Sequence, residues 1–216
     1  MSERIAIVEE IMGANDRLAA QNRKRLDEAG VLAINIMASP GAGKTSLIER
    51  TVKELSKDLD ITVVDGDVAT GIDAERAARA GAHAVQTNTG GECHLDAVMM
   101  QTALDQAQLE KTDLLIIENV GNLICPAGFK LGAHKNVLIA SIPEGDDKPY
   151  KYPAMYRGVD ALVINKIDLC PYVKFDMDYF RHGVETLNRG LLTFPVSCQT
   201  GEGLLGWYTW LRTMIG

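Results

Sequence analysis

The sequence predicts an α/β fold, a mainly parallel β-sheet flanked by helices on both faces, with a further helix ahead of the first strand. Two observations carry this. Seven short runs rich in Val, Ile and Leu recur along the 216 residues, and helical stretches fit between them. Most of the runs are apolar without strict alternation, the pattern of strands buried on both faces. Strand–helix alternation at this spacing gives parallel strands joined by crossover helices.

The expected strands are "VLAINIMAS" (31–39), "ITVVDGD" (61–67), "HAVQTN" (83–88), "DLLIIENV" (113–120), "NVLIASI" (136–142), "ALVINKI" (161–167) and "LLTFPVS" (191–197). Helices are expected near 44–57, 72–80, 95–107, 176–189 and 203–214. An N-terminal helix spans about 3–27, where Ile5, Val8, Ile11, Met12, Leu18 and Leu26 recur at helical spacing among Arg17, Arg23, Lys24 and Arg25. It either packs on the domain or presents a docking face to a partner. With no repeat, low-complexity tract or linker, 1–216 reads as a single domain.

Hydrophobic residues make up 46% and charged residues 24%, ordinary for a globular protein. A net charge of −7 without any Lys/Arg run argues against a nucleic-acid surface. No stretch approaches the about 18 apolar residues of a membrane span, and the start lacks a secretory pattern. Cys93, Cys125, Cys170 and Cys198 form no CxxC pair, which points to reduced thiols and a cytoplasmic protein.

"ASPGAGKTS" (38–46) lies between the first apolar strand and a helix. Gly43-Lys44-Thr45 match the end of the P-loop pattern, with Ala38 in place of its first glycine. Gly41 and Gly43 let backbone N–H groups turn around phosphate oxygens, and the helix N-terminus adds its dipole. Gly41, Ala42, Gly43, Lys44, Thr45 and Ser46 are therefore the candidate phosphate contacts. Lys44 reaches the β/γ phosphates and Thr45 offers its hydroxyl to Mg²⁺. Ala38 is tolerable provided its φ stays below zero. The fold class is thus that of a P-loop NTPase.

Asn165-Lys166-Ile167-Asp168 follows the sixth strand and resembles the guanine-specificity element of GTP-binding proteins. The Asp168 carboxylate can accept both N1–H and the 2-amino group of guanine, while the Lys166 stem lies along the base. "SCQTGEG" (197–203) resembles the loop that closes over guanine, with Ser197 and Cys198 at its start. Asp65, Asp67 and Asp73 lie at and after the second strand, and Glu118 ends the fourth, all at the crevice where ligands bind in open α/β sheets. One or two of these acids should hold Mg²⁺ or its waters. Glu118-Asn-Val-Gly121 occupies the place of a switch element: Gly121 meets a γ-phosphate through its amide, and Glu118 either positions water or supports Mg²⁺. Slow hydrolysis is expected, since phosphoryl transfer needs mostly positioning and charge neutralisation. Arg76 and Arg79 read as solvated helix charges.

In "GGECHLD" (90–96) Cys93 and His94 open the stretch before the fourth strand, and Cys125 follows the switch element in "GNLICPAGF" (121–129). Two thiolates and an imidazole suit Zn²⁺ or Ni²⁺. Structural residues and a catalytic thiol are the alternatives, though consecutive helical residues point about 100° apart and do not make a facing nucleophile–base pair. Cys170 and Cys198 read as small hydrophobes.

"SPGAGKTS", "DGDVATGIDAER", "QTNTGGECHLDA", "ENVGNLICPAGF", "PEGDDKPYKYP", "NKIDL" and "SCQTGEG" occur in this order over roughly 31–203, and together they resemble the nickel-insertion GTPases of hydrogenase maturation, the HypB family. The resemblance implies a GTPase of the dimerising signal-recognition/MinD-like class, which closes a homodimer on GTP and Mg²⁺. It implies nickel or zinc bound by Cys93, His94 and Cys125 at the dimer interface, Mg²⁺ contacts from Thr45 and Asp73, and a cross-dimer nucleotide contact from Lys151 or Lys148. Nickel then passes to an accessory chaperone or to the hydrogenase large-subunit precursor. The sequence departs from the family twice. Its first 30 residues hold neither Cys nor His, so nickel storage is not expected, and Lys130 stands where members commonly carry Asp. The rival readings are a urease or cobalamin-mutase metal chaperone, a small-molecule kinase on the same P-loop, and a nucleotide-dependent scaffold with structural cysteines.

Overall fold

The computed structural model describes residues 2–66 and 71–215, with side chains from Met12 onward. Helix α1 (Ser2–Ala29) leads into β1 (Leu32–Ala38), followed by α2 (Lys44–Leu55), β2 (Ile61–Asp65), α3 (Ile72–Ala80), β3 (His83–Gln86), α4 (Ala97–Leu104), β4 (Leu114–Glu118) and β5 (Lys135–Ser141). Two short helices, α5 (Lys148–Lys151) and α6 (Pro153–Arg157), precede β6 (Ala161–Asn165), α7 (Met177–Leu187), β7 (Leu192–Pro195) and α8 (Leu204–Ile215). The strands form one sheet in the order β3-β2-β4-β1-β5-β6-β7, with every pairing parallel. All seven expected strands are present, as are the helices expected between them.

The pleat sorts the strand residues to two faces. Ile34, Ile36, Val63, Ile116, Ile139 and Val163 face a core closed by Leu47, Ile48, Val52 and Leu55 of α2 and by Trp207 and Leu211 of α8. Ala33, Val64, Leu115 and Ile117 face α4 and Leu26 of α1, while Leu138, Leu162 and Ile164 face Met155, Tyr156, Phe180 and Val184 of α6 and α7. Trp207 is fully buried, edge-on to Phe194, and donates its indole N–H to Thr51 Oγ1 at 2.8 Å. Replacing it with alanine strips the largest buried side chain from this face. Trp207→Ala should lower unfolding stability by about 3–5 kcal/mol, read by denaturant titration.

Of the two readings of α1, the structure supports packing. Asn15 donates to the Lys130 carbonyl and accepts from Ala97 N–H, both at 2.9 Å. The fully buried Asn22 donates to the carbonyls of Ala97 and Leu131 at 2.9 and 3.2 Å. Arg23 donates to the Gly132 and Ala133 carbonyls. Asn22→Leu leaves two buried carbonyls without their donor and is expected to cost about 1–3 kcal/mol of stability. A melting temperature equal to wild type would refute that.

Three local differences from expectation have simple causes. The helix expected at 95–107 starts at Ala97, because Asp96 is its N-cap and accepts from Met99 N–H at 2.8 Å. Helices α5 and α6 are too short for hydrophobic periodicity to show, although each has a proline in its first turn. Arg76 is not merely a solvated charge: it pairs with Glu49 of α2 at 2.7 Å and with Asp73 at 3.7 Å. No helix among the described residues is long and apolar enough to cross a membrane.

Candidate nucleotide and metal site

The phosphate loop leaves β1 at the centre of the sheet, where the chain turns to β2 on one side and to β5 on the other. Ala38 is a buried strand residue, and no positive φ is found there, so the missing first glycine imposes no strain. Gly43 has φ 103°, and a Cβ on it would sit 2.3 Å from Asn165 Nδ2. Only glycine fits, because Asn165 reaches over the loop and donates to the Ala42 carbonyl at 2.9 Å. Asn165 Oδ1 in turn accepts from Lys166 N–H and Cys198 N–H at 2.8 and 3.2 Å. One buried asparagine thus locks the phosphate loop to both the 165–168 and the 197–203 segments. Lys166, in the left-handed region at φ 63°, donates its ammonium to the Gly41 carbonyl at 2.6 Å.

Asp168 Oδ1 is buried and has no hydrogen-bond partner among the described residues. A buried carboxylate oxygen without a donor is costly, which makes it a candidate acceptor for a ligand N–H. Ser197 is fully buried and anchors the last loop, its hydroxyl accepting from Thr200 N–H at 3.1 Å. Burial pushes the Cys198 thiol up to about 11, so it stays neutral, as a small residue in that loop should. Arg50 of α2, which carried no sequence signal, holds the loop by donating to the carbonyls of Cys198 and Gln199 at 2.9 and 3.1 Å.

On the phosphate side, the Thr45 hydroxyl donates to Glu118 Oε1 at 2.7 Å, which leaves lone pairs on the Thr45 oxygen free for a cation. Register places Asp65 beside Glu118 at the ends of β2 and β4, and Asp73 opens α3 close by. Asp67 lies outside the described residues. Ser46 follows Thr45 in the first turn of α2. Gly121 touches the loop from the other side: a Cβ would lie 3.2 Å from Pro40 and 3.3 Å from Lys44 Nζ. Thr45, Glu118, Asp65 and Asp73 supply hard oxygen donors of the kind Mg²⁺ takes, so the residues fit that ion. Ser39 of the loop and Ser141 both donate to Glu144, an acid that sequence reasoning passed over. Lys148 and Lys151 of α5 both pair with Asp147 within this chain.

Glu118 is 5% exposed, and burial raises its carboxyl from 4.5 to about 7, against the hydrogen bond from Thr45 and the charge of Lys44. The sign follows. Between pH 4.5 and 7 the folded ligand-free protein holds a proton that the unfolded chain has lost. Glu118 therefore removes up to about 3 kcal/mol of stability as pH rises through that window. Denaturant titrations from pH 5 to 8 should show this fall, and Glu118→Gln should flatten it.

The metal candidates converge. The ligand atoms of Cys93, His94 and Cys125 lie within 4.8 Å of one another. Cys93 and His94 sit in a bend ahead of α4 rather than on it, so the helical divergence expected of neighbouring residues does not apply. Cys93 Sγ is 2.9 Å from Cys125 Sγ and 3.7 Å from His94 Nδ1. The His94 ring rests on Phe129 with centroids 3.9 Å apart, and the Cys125–Gly128 turn is pinned by Pro126. The hydrogen bond with Cys125, then burial, holds the Cys93 thiol above its ordinary value, so binding a cation here releases protons. Two sulfurs and an imidazole fit a borderline metal. Cys170 is exposed and apart from this cluster.

A seven-stranded parallel sheet with this loop at its switch point defines a P-loop NTPase. The signal recognition particle 54 kDa protein of Aeropyrum pernix, in complex with GDP, shares the fold at TM-score 0.57 and 12% identity. More specifically, residues 32–194 match the family described as CobW/HypB/UreG, nucleotide-binding domain. The hydrogenase maturation factor HypB of Rhizobium leguminosarum is 46% identical over 211 residues, covering 97% of this chain and 71% of that protein. The HypB of Archaeoglobus fulgidus superposes at TM-score 0.88 with 40% identity, covering 94% of this chain and all of that one. A Helicobacter pylori HypB in complex with nickel superposes at 0.89 with 38% identity, over 94% and 95%. The chain belongs to the HypB family of hydrogenase maturation factors.

Proposed function

We propose that this protein is a GTP-hydrolysing metallochaperone. It binds nickel or zinc through Cys93, His94 and Cys125 and delivers nickel during maturation of nickel–iron hydrogenase. The observation that carries this reading is a single segment, Glu118–Cys125, that touches the Thr45 hydroxyl at one end and supplies a metal ligand at the other. The nickel bound by the Helicobacter pylori relative supports the choice of cargo.

Residues 1–216 act as one GTP-binding domain in the cytoplasm. Asp168 accepts from the guanine ring, Lys166 and the Ser197–Cys198 turn flank it, and Asn165 holds both to the phosphate loop. Gly41, Ala42, Gly43 and Ser46 donate backbone N–H groups to phosphates, while Lys44 neutralises the β/γ oxygens. Thr45 and Asp73, with support from Asp67 or Glu118, would hold Mg²⁺, which would supply charge neutralisation at the transferred phosphate. Glu118 orients the attacking water and the Gly121 amide meets the γ-phosphate, giving slow hydrolysis to GDP and phosphate. Two copies close on GTP, and Lys151 or Lys148 exchanges Asp147 for the partner copy's nucleotide. Opening after hydrolysis releases nickel to an accessory chaperone or the hydrogenase large-subunit precursor.

Competition between GTP and ATP on the metal-free protein separates this reading from a kinase. GTP should bind at least about 10²-fold more tightly, because adenine lacks the donors Asp168 needs. Equal affinities would end the guanine assignment.

A further inference from the structure

Two asparagines flank Gly121, and both reach the metal loop. Asn119, 1% exposed, accepts at Oδ1 from Leu95 N–H at 3.1 Å and from Val120 N–H at 2.9 Å. Its amide donates to Asn35 Oδ1 at 3.2 Å, and Asn35 donates to Asn136 Oδ1 at 3.0 Å. The Asn119 backbone N–H bonds the Ile36 carbonyl at 3.1 Å, so this end is fixed to the sheet. Beyond Gly121, Asn122 donates to the carbonyl of Cys93 at 3.2 Å and accepts from Ile124 N–H at 2.8 Å.

We propose that Asn119 and Asn122 are positioning residues that carry the state of the nucleotide to the metal ligand Cys93, Asn119 as the fixed hinge and Asn122 as the moving arm. The inference rests on the metallochaperone reading above. Gly121 packs against Pro40 and Lys44, so a phosphate that draws its amide moves the residue next to it. Asn122 passes that displacement to the Cys93 carbonyl and hence to its thiol. Asn119 holds Leu95 to the sheet, so the loop turns about Leu95 instead of following as a body. Asn15 also grips this region through Ala97, but from α1, which among the described residues makes no hydrogen bond to Gly121. It serves as the contrast.

The experiment measures Ni²⁺ affinity in GDP and in a non-hydrolysable GTP analogue, for wild type, Asn122→Asp, Asn122→Ala and Asn15→Ala. Asn122→Asp keeps the acceptor for Ile124 N–H and loses the donor to Cys93. The readout is the ratio of the two affinities within each protein, which a purely structural change leaves alone. Wild type should show a ratio of about fivefold or more in either direction. Both Asn122 variants should fall to within about twofold of unity, and Asn15→Ala should keep the wild-type ratio. A ratio retained in the Asn122 variants overturns the relay and leaves the metallochaperone reading standing. Loss of nickel binding in both nucleotide states gives Asn122 a structural part only and also overturns the relay. A wild-type ratio of unity removes the coupling itself, and the proposed function fails with it.

Discussion

Asp168→Asn is expected to weaken GTP binding by about 10²–10³-fold. In the proposed function the carboxylate offers two acceptors to guanine's N1–H and 2-amino donors, and its buried Oδ1 has no hydrogen-bond partner among the described residues. An asparagine keeps one acceptor and turns an N–H₂ toward a donor. Losing a buried charge-assisted pair in this way typically costs about 2–5 kcal/mol, and about 1.4 kcal/mol is a factor of ten. Xanthine carries a carbonyl where guanine has the 2-amino group, so the same variant should bind XTP better than wild type does. Fluorescence titration with labelled GDP and competing nucleotides reads both effects. An unchanged GTP affinity would mean that the orphan oxygen faces something other than the base.

Cys93→Ser and Cys125→Ser should each weaken nickel binding by at least about 10²-fold, and the double substitution should abolish it. With three ligands from one chain, removing a thiolate leaves an imidazole and one sulfur. Even indirect supporting contacts are worth about 10–100-fold. Nucleotide affinity without metal should stay within about twofold of wild type, since the hydrogen bonds of the two sulfurs run to each other and to His94. A double variant that still bound one nickel per chain would make the cysteines structural.

The parts of this molecule that sequence reading found best are those with strong local rules. Seven doubly buried strands announce themselves as unbroken Val/Ile/Leu runs, and the phosphate loop as glycines around a lysine. The three candidate metal ligands were legible as a set, but not the geometry that brings them together. Their convergence depends on Cys93 and His94 lying in a bend before α4, and helix boundaries shift by a residue or two when a cap such as Asp96 decides them. What escaped was polar and non-local. Asn35 interrupts "LAINIMA" as an unexplained polar residue in an apolar strand, and only the fold shows that it anchors Asn119. Arg50, Glu144 and Asn122 lie in segments that do carry a pattern, but their own roles do not show there, because partners such as Cys198, Ser39 and Cys93 are far away in sequence. Lys151 shows the opposite limit. Its place on α5 is clear, yet its proposed partner belongs to a second copy of the chain, and here it pairs with Asp147.

The central claim is that the nucleotide and metal sites share one free energy. Linkage requires the effect to be reciprocal, so it can be measured from the nucleotide side. Affinities for GDP and for a non-hydrolysable GTP analogue, each taken with and without one equivalent of Ni²⁺ and read together with oligomeric state, decide it. The account predicts that nickel changes the GTP-analogue-to-GDP affinity ratio by about fivefold or more, with the analogue favouring the dimer. A ratio that nickel leaves unchanged, with the metal demonstrably bound at Cys93, His94 and Cys125, would contradict it.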